Sequence, residues 1–160
     1  MPTCLPARQG KERKVPKKQS EDKTERSWHL LDANAHILGR LSTQAARLLM
    51  GKDKPEWVPY LDRGDYVVVV NAAKVAVTGK KESQKRYFRY SGYPSGLKSE
   101  TLGDLRKRRP GDIIRHAVLG MLPDNKIGRK MIIRLFVYPG EEGEMVAKTK
   151  QQNGRSEEQS

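Results

Sequence analysis

The eight residues DYVVVVNA, Asp65 to Ala72, contain four consecutive valines. Valine is β-branched and favours strands, and a strand that is apolar at every position buries both of its faces. Such strands lie at the centre of parallel sheets that are covered by helices. The stretch therefore predicts the central strand of an α/β fold.

The segment before the valines predicts a strand followed by a helix. WHLLDA, Trp28 to Ala33, is a short apolar run typical of a buried strand. Apolar residues then recur at spacings of three and four from Leu38 to Leu48, which predicts an amphipathic helix. Gly51 supplies its stop.

The segment after the valines predicts two more strands and two helices. We expect strands at KVAVTG, Lys74 to Gly79, after a tight turn at Asn71, and at RLFVYPG, Arg134 to Gly140. Thr101 and Asp104 have the spacing of a capping box at a helix start. Pro110 breaks or restarts that helix. The predicted core stripe of the next helix consists of Ile113, Ile114, Ala117, Val118 and Met121.

This order of elements predicts an α/β sandwich of three layers, with a central, mostly parallel sheet covered by helices. Residues 28–140 form the predicted domain. Residues 1–27 are polar and basic without apolar periodicity, so we expect a flexible basic N-terminal arm. Residues 141–160 are expected to form a polar, mobile C-terminal tail.

Charge indicates the class of partner. The chain has 32 Lys and Arg against 19 Asp and Glu, a formal net charge of +13. Of these, residues 28–140 carry 21 basic and 10 acidic residues, so the excess belongs chiefly to the predicted domain. Such an excess favours a polyanion. The sequence has no apolar run of membrane-spanning length and no basic helix with a broad aromatic face, so nucleic acid is favoured over a membrane.

Cysteine content indicates the compartment. Cys4 is the only cysteine, which excludes an internal disulfide and a cysteine-based zinc site. The first residues also lack the apolar core of a signal peptide. We therefore expect a cytoplasmic protein.

Catalytic patterns are not found. The three histidines, His29, His36 and His116, do not have the spacing of a helical metal pair. Gly51-Lys52 and Gly79-Lys80 resemble the end of a phosphate loop, but each lacks the glycine five positions earlier. We therefore predict no enzymatic activity, no cofactor, no metal and no small-molecule substrate.

Three segments instead combine glycine, cations and aromatic residues, a composition that suits contacts with RNA phosphates and unstacked bases. Two of them are predicted loops. The loop from Gly51 to Asp65 presents Lys52, Lys54, Trp57, Tyr60 and Arg63. The loop from Lys80 to Lys98 presents Lys80, Lys81, Lys85, Arg86, Arg89, Tyr90, Gly92, Tyr93 and Lys98. For Trp57 and Tyr60, packing beneath the loop is an equal alternative, and the second segment is alternatively a solubilising hairpin.

The third segment is HAVLGMLPDNKIGRK, His116 to Lys130. It begins as the apolar end of a helix, and Gly120 with Pro123 ends that helix. We expect a cationic loop to follow, which presents Lys126, Arg129 and Lys130 to phosphates from a fixed pivot. The alternative is a charged, exposed helix end.

Three ordered stretches resemble the bacterial-type L13 family of large-subunit ribosomal proteins. They are LGRLSTQAARLLMGKDKPEWVPYLDRGDYVVVVNAAKVAVTGKK, YFRYSGYPSGLK and AVLGMLPDNKIGRKMIIRLFVYPG. The most specific element is Gly-Met-Leu-Pro followed by Ile-Gly-Arg. The resemblance covers residues 28–140.

The resemblance implies an α/β fold without catalytic activity that binds large-subunit ribosomal RNA, supports early subunit assembly and meets neighbouring ribosomal proteins. By position it implies RNA contact for Lys52, Lys54, Lys80, Lys81, Arg89, Ser91, Gly92, Lys98, Lys126, Gly128 and Arg129. Two alternatives stay open from the sequence: a regulatory protein that binds RNA away from the ribosome, and a small RNA-processing or nucleotide-using enzyme.

Overall fold

A computed structural model describes residues 26–143, 145–147 and 149. The predicted arm, residues 1–27, lies outside these except for its last two residues. The predicted tail, residues 141–160, is described only at 141–143, 145–147 and 149. These domain limits therefore stay predictions.

Three parallel strands form the central sheet. They are β1 (Trp28–Asp32), β2 (Tyr66–Val70) and β5 (Leu135–Val137), in the order β1-β2-β5. The valine strand is the middle one, with Val68 opposite Leu30 in β1 and Phe136 in β5. The predicted central strand and the predicted parallel sheet are confirmed.

The helices are α1 (Leu38–Met50), α2 (Lys81–Gln84), α3 (Leu102–Arg108), α4 (Pro110–Leu119) and α5 (Lys126–Ile133). Two further strands, β3 (Arg86–Tyr90) and β4 (Leu97–Thr101), form an antiparallel hairpin apart from the central sheet. The hairpin leads directly into α3.

The two faces of β2 bury alternate valines in two separate clusters. Val67 and Val69 belong to the main core, which α1 and α4 complete. Val68 and Val70 belong to a second cluster on the opposite face. All four are buried, as a strand with two covered faces requires.

The second cluster is closed by aromatic rings and by the chain that follows β5. The Trp28 ring stacks on Tyr66 with centroids 4.4 Å apart, and on Phe136 at 5.9 Å. Met145 and Val146, which are helical, pack against the same cluster. The sheet is thus covered on both faces, and the predicted α/β sandwich is confirmed.

Several predicted helix signals are confirmed. Gly51 takes the left-handed conformation, φ +70°, immediately after α1, where its amide donates to the Leu48 carbonyl. The Thr101 hydroxyl accepts the Asp104 amide at the start of α3. Pro110 opens α4 in the first turn, where its missing N–H costs nothing.

The predicted strand at Lys74 to Gly79 is wrong. Residues Ala72–Lys74 form a 3-10 turn, and Ala76 makes only one isolated bridge, to Ile37. The carbonyls of this segment bond to other elements, because the Leu38 amide donates to Ala76 and the Arg106 guanidinium donates to Val75. The segment therefore connects α1 to α3 through these hydrogen bonds.

Two predicted loops are also wrong. The segment from Lys80 to Lys98 contains α2 and most of the hairpin, and the cations Lys126, Arg129 and Lys130 lie on α5. In α5, the Asn125 side chain accepts the Gly128 amide as an N-cap. Met121 leaves the predicted core stripe because α4 ends at Leu119, and its side chain is 41% exposed.

Candidate nucleic-acid interface

The three predicted contact segments are placed around α1. α2 faces the first turn of α1 across a groove that Lys81, Gln84 and Leu38 line. The loop from Gly51 to Asp65 follows the last turn of α1. An α-helix of this length spans roughly 18 Å, so α2 and this loop lie at opposite ends of α1.

Helix α5 runs alongside α1. Before α5, the Met121 sulfur lies 3.6 Å from the Thr43 hydroxyl, near the middle of α1. After α5, an Arg134 nitrogen donates to the Leu49 carbonyl, near the end of α1. The structure therefore places the helix that carries Lys126, Arg129 and Lys130 beside the second half of α1.

The hairpin carries exposed aromatic residues together with Arg86 on one face, and the Arg89–Lys98 pair together with Tyr87 and Glu100 on the other. Residues directly opposite in the register share a face. One face carries Phe88, Tyr90 and Leu97, whose side chains are 66%, 64% and 60% exposed. The other face carries Arg89 directly opposite Lys98, and both are exposed.

The Arg89–Lys98 pair opposes two like charges, an arrangement that is destabilising in an isolated hairpin. Within the described part of the chain, no carboxylate lies within ion-pairing distance of either side chain. A polyanion lying across this face would relieve the repulsion. The pair is thus a feature that folding alone does not explain.

The base of the hairpin is held by the core. The Leu102 amide donates to the Lys85 carbonyl, and the Tyr87 ring lies 5.5 Å from that of His116 on α4. Burial raises the pKa of the Tyr87 hydroxyl. The Lys85 ammonium lies 5.2 Å from the Tyr87 ring centroid, so this cation is placed at the junction of hairpin and core.

The turn of the hairpin exposes the other predicted residues of this segment. Gly92 takes φ +86°, and the Ser91 amide donates to the Gly96 carbonyl across the turn. Tyr93 is 76% exposed. The predicted residues that are exposed around the hairpin are Lys80, Lys81, Lys85, Arg86, Arg89, Tyr90, Ser91, Gly92, Tyr93 and Lys98.

In the loop from Gly51 to Asp65, two of the three predicted cations are engaged inside the protein. The Lys54 ammonium donates to Asp65 at 2.5 Å, and Arg63 pairs with Glu56. Lys52 is exposed, with its ammonium 5.9 Å from the Trp57 ring centroid. Lys52 is therefore the predicted cation of this loop that is most accessible to a phosphate.

Asp65 joins this loop to the start of β1. Its carboxylate accepts the Ser27 amide and lies 3.3 Å from His29 Nε2. Burial by itself raises the pKa of this carboxyl, but the hydrogen bonds from His29, Lys54 and Ser27 together hold the pKa below its ordinary value. Asp65 is thus ionised and orders the loop.

A second ion pair, between Arg134 and Asp62, fixes the loop to the end of α5. Arg134 is buried, and its two terminal nitrogens donate to the Asp62 carboxylate at 2.5 and 2.6 Å. This two-pronged geometry holds both partners in one orientation. The loop is therefore rigidly placed relative to the α5 cations.

Gly128 differs from the other predicted contact residues because it is buried. A Cβ added there would lie 1.9 Å from the Pro123 carbonyl oxygen, so the turn before α5 closes on this position. Lys126, Arg129 and Lys130 are exposed around it. The structure gives Gly128 a packing role that brings the cations close to the turn.

Sequence reasoning missed some exposed residues. Phe88 and Leu97 lie on the face that also carries Tyr90, and the register of the hairpin, which the sequence does not specify, places them there. The run from Arg106 to Arg109 was also passed over. Arg106 and Arg108 pair with Glu82 and Glu100, whereas Lys107 and Arg109 are exposed.

The described residues contain no cluster of three or more His, Cys, Asp or Glu side chains that could hold a metal ion. Within the same residues, no helix has the length and apolar character needed to cross a membrane.

Comparison with known proteins gives a family match and close relatives. The family model described as "Ribosomal protein L13" matches residues 26–144. The chain is 50% identical over 118 residues to a protein of Chlorobium phaeobacteroides named "Large ribosomal subunit protein uL13". The aligned region covers 74% of this chain and 79% of the relative. Proteins of the same name from Salinispora arenicola and Alcanivorax borkumensis are 55% and 49% identical, over 74% and 82% of this chain and 80% and 92% of the relatives.

Proposed function

The chain belongs to the ribosomal protein L13 family, and on this basis we propose that it is a structural constituent of the large ribosomal subunit. In this role it binds large-subunit ribosomal RNA without catalytic turnover. It acts in the cytoplasm as part of the ribosome and contacts neighbouring large-subunit proteins. The relatives carry the name of a large-subunit protein, which supports the assignment.

The observation that supports RNA binding most directly is the cationic face of the hairpin. Arg89 and Lys98 oppose each other on an exposed face, and the cost of this repulsion is recovered when phosphates lie against it. The opposite face offers Phe88 and Tyr90, whose rings suit stacking on unpaired bases. A hairpin with these two faces holds an RNA strand by charge and by stacking.

Helix α5 provides a second cationic surface. Its three cations are exposed, and its two ends are fixed by the Asn125 cap and by the Arg134–Asp62 pair. Cations on a fixed helix lose less conformational entropy on meeting phosphates than cations on a flexible chain. We assign Lys126, Arg129 and Lys130 to phosphate contacts on this ground.

We also assign phosphate contacts to Lys52, Lys80 and Lys81, and backbone approach to the exposed turn at Ser91 and Gly92. Lys54 and Arg63 support the loop through Asp65 and Glu56, and any RNA contact they make competes with these partners. Because the protein contributes a rigid surface, it is suited to bind before the RNA around it is fully folded. We propose that it joins the subunit early in assembly.

Sedimentation tests this proposal. Tagged full-length protein in a cell lysate should co-sediment with large subunits and their precursors, and crosslinks in purified subunits should map to large-subunit ribosomal RNA. Lys126→Glu combined with Arg129→Glu should weaken binding, whereas the charge-preserving pair Lys126→Arg with Arg129→Lys should not.

Two results would contradict the proposal. Protein found only in the free fraction would remove the ribosomal role. Crosslinks enriched on RNA other than ribosomal RNA would favour a regulatory protein that acts away from the ribosome.

A further inference from the structure

A groove of about 640 Å³ lies between the first turn of α1, α2 and the end of α4, and its lining includes Ile37 and Thr78 from the segments that follow the carboxyl ends of β1 and β2. In open α/β folds this end of the sheet is where ligands bind. The volume lies within the usual range of roughly 300 to 1,000 Å³ for ligand pockets. The groove is large enough to receive one nucleotide.

The walls of the groove are mainly apolar, and a few polar groups converge on them. Leu38, Leu102 and Met121 contribute apolar surface. Thr78, Gln84 and His116 contribute polar atoms. Apolar walls with a small number of polar groups are the usual composition of a pocket that binds a planar organic ligand.

The rim of the groove is cationic. Lys81 and Lys85 lie one turn apart at its edge, and Lys81 Nζ lies 3.4 Å from the Thr78 hydroxyl. The amino-terminal end of α1 also opens here, and Ile37 provides no side-chain cap for it. Two ammonium groups and the positive end of a helix favour an anionic group at the mouth.

The groove is continuous with the proposed RNA surface. Lys85 contacts the Tyr87 ring, Tyr87 is the second residue of the hairpin, and its ring lies against His116, which lines the groove. An RNA strand that crosses the hairpin therefore passes the mouth of the groove. Because the apolar groove lies beside cations, it suits a base with its adjoining phosphates better than an apolar protein side chain.

We propose that the groove binds one unstacked nucleotide of the ribosomal RNA. Its base lies between the apolar walls and meets the polar groups of Thr78, Gln84 and His116, and its phosphates lie at Lys81 and Lys85. This inference rests on the proposed function, because it names the element of RNA that the surface takes up.

Gly39 offers a way to fill the groove without disturbing the fold. It lines the groove on α1, and a Cβ added there meets no atom within 4 Å. Gly39→Leu therefore places a bulky side chain at the groove, while Gly39→Ala is the matched control that changes the helix propensity but leaves the groove open. Both variants should fold, as judged by circular dichroism and melting temperature.

The experiment measures binding of the full chain to purified large-subunit ribosomal RNA, together with acylation of each 2′-hydroxyl. Gly39→Leu should bind about tenfold more weakly than Gly39→Ala, since base stacking in a protein site has an effect of this order. The wild type and Gly39→Ala should raise the reactivity of one nucleotide that Gly39→Leu leaves unchanged. Lys81→Gln, an exposed change, should reduce the reactivity at that same nucleotide.

The outcomes distinguish failure of the proposed function from failure of the groove assignment alone. A wild type that does not bind ribosomal RNA overturns the proposed function and this inference with it. Wild-type binding with equal affinity and equal reactivity for Gly39→Leu and Gly39→Ala overturns only the groove assignment. Equal RNA binding, with Gly39→Leu lost from assembled subunits, overturns it in favour of a protein side chain in the groove.

Discussion

The central sheet and the hairpin use similar residues for opposite purposes. β2 buries every valine between two clusters. β3 and β4 carry apolar and aromatic residues that stay largely exposed, and an isolated two-stranded hairpin is only marginally stable. The hairpin persists because its base is attached to α3 and α4. The difference shows that β structure here serves stability where it is covered and binding where it is not.

The largest expected effect comes from the same change made in each region. Val68→Asp buries an unpaired charge in the second cluster and should abolish folding, a loss of more than about 4 kcal/mol. Phe88→Asp on the hairpin should change the free energy of unfolding by less than about 1 kcal/mol but weaken RNA binding. Urea denaturation and filter binding measure the two quantities. Similar losses of stability for both would break the comparison.

The second prediction compares ion pairs. Asp62→Ala leaves the buried Arg134 guanidinium without its carboxylate and should cost about 3 to 5 kcal/mol. Glu100→Ala removes the hairpin's pair with Arg108, which is mostly exposed, and should cost about 0 to 1 kcal/mol. Thermal denaturation of both variants measures the difference. Equal costs would show that burial does not distinguish the two pairs.

The third prediction sets stability against binding within the hairpin. Lys98→Glu replaces a like-charge pair with an attractive one opposite Arg89, and should stabilise the protein by about 0.2 to 1 kcal/mol. The same change should weaken RNA binding and reduce the salt-dependence slope of the affinity by about 1. Lys98→Gln is the control that removes repulsion without adding attraction. Unchanged RNA affinity would remove this face from the interface.

The smallest expected effect is the pH dependence of stability that comes from Asp65, the residue immediately before β2. The folded-state pKa of Asp65 lies below its ordinary value of 3.8, so its contribution to stability is fully present above that pH. The contribution is lost as the pH falls from there through the folded-state pKa. Asp32 has a lowered pKa as well, through hydrogen bonds from the Asn34 amide and Asn71. The difference between wild type and Asp65→Asn in acid denaturation isolates Asp65, and parallel curves would contradict its role.

Much of the fold was predictable because local patterns and the tertiary structure agree. The valine run, the periodicity of α1 and the cap at Thr101 each specify their element through nearby residues. The hairpin was only the alternative to a loop at the sequence level, because Arg86 to Tyr90 mixes cations and aromatic residues without strict apolar alternation. The false strand at Lys74 to Gly79 was β-like in composition, but its carbonyls bond to α1 and to Arg106.

The sequence predicted which segments carry the candidate RNA-contact residues. That these residues bind RNA remains a prediction. Lys and Arg residues can be read directly from the sequence, but the accessibility of each side chain depends on the residues that pack around it. Lys54 and Lys52 stand two positions apart in one loop, yet only Lys54 is engaged by Asp65. No sequence pattern distinguished them, because the partner of Lys54 lies eleven residues away and is positioned by the fold.

The sequence by itself determined the central strand, the parallel α/β arrangement and the large positive charge, because these follow from residue type and short-range spacing. Only the tertiary structure decided which cations are free to meet phosphates, where the aromatic face of the hairpin lies, and that a groove opens beside it. These features depend on contacts between residues far apart in the chain, such as Tyr87 with His116 and Asp62 with Arg134. Such contacts form only when the helices pack on the sheet.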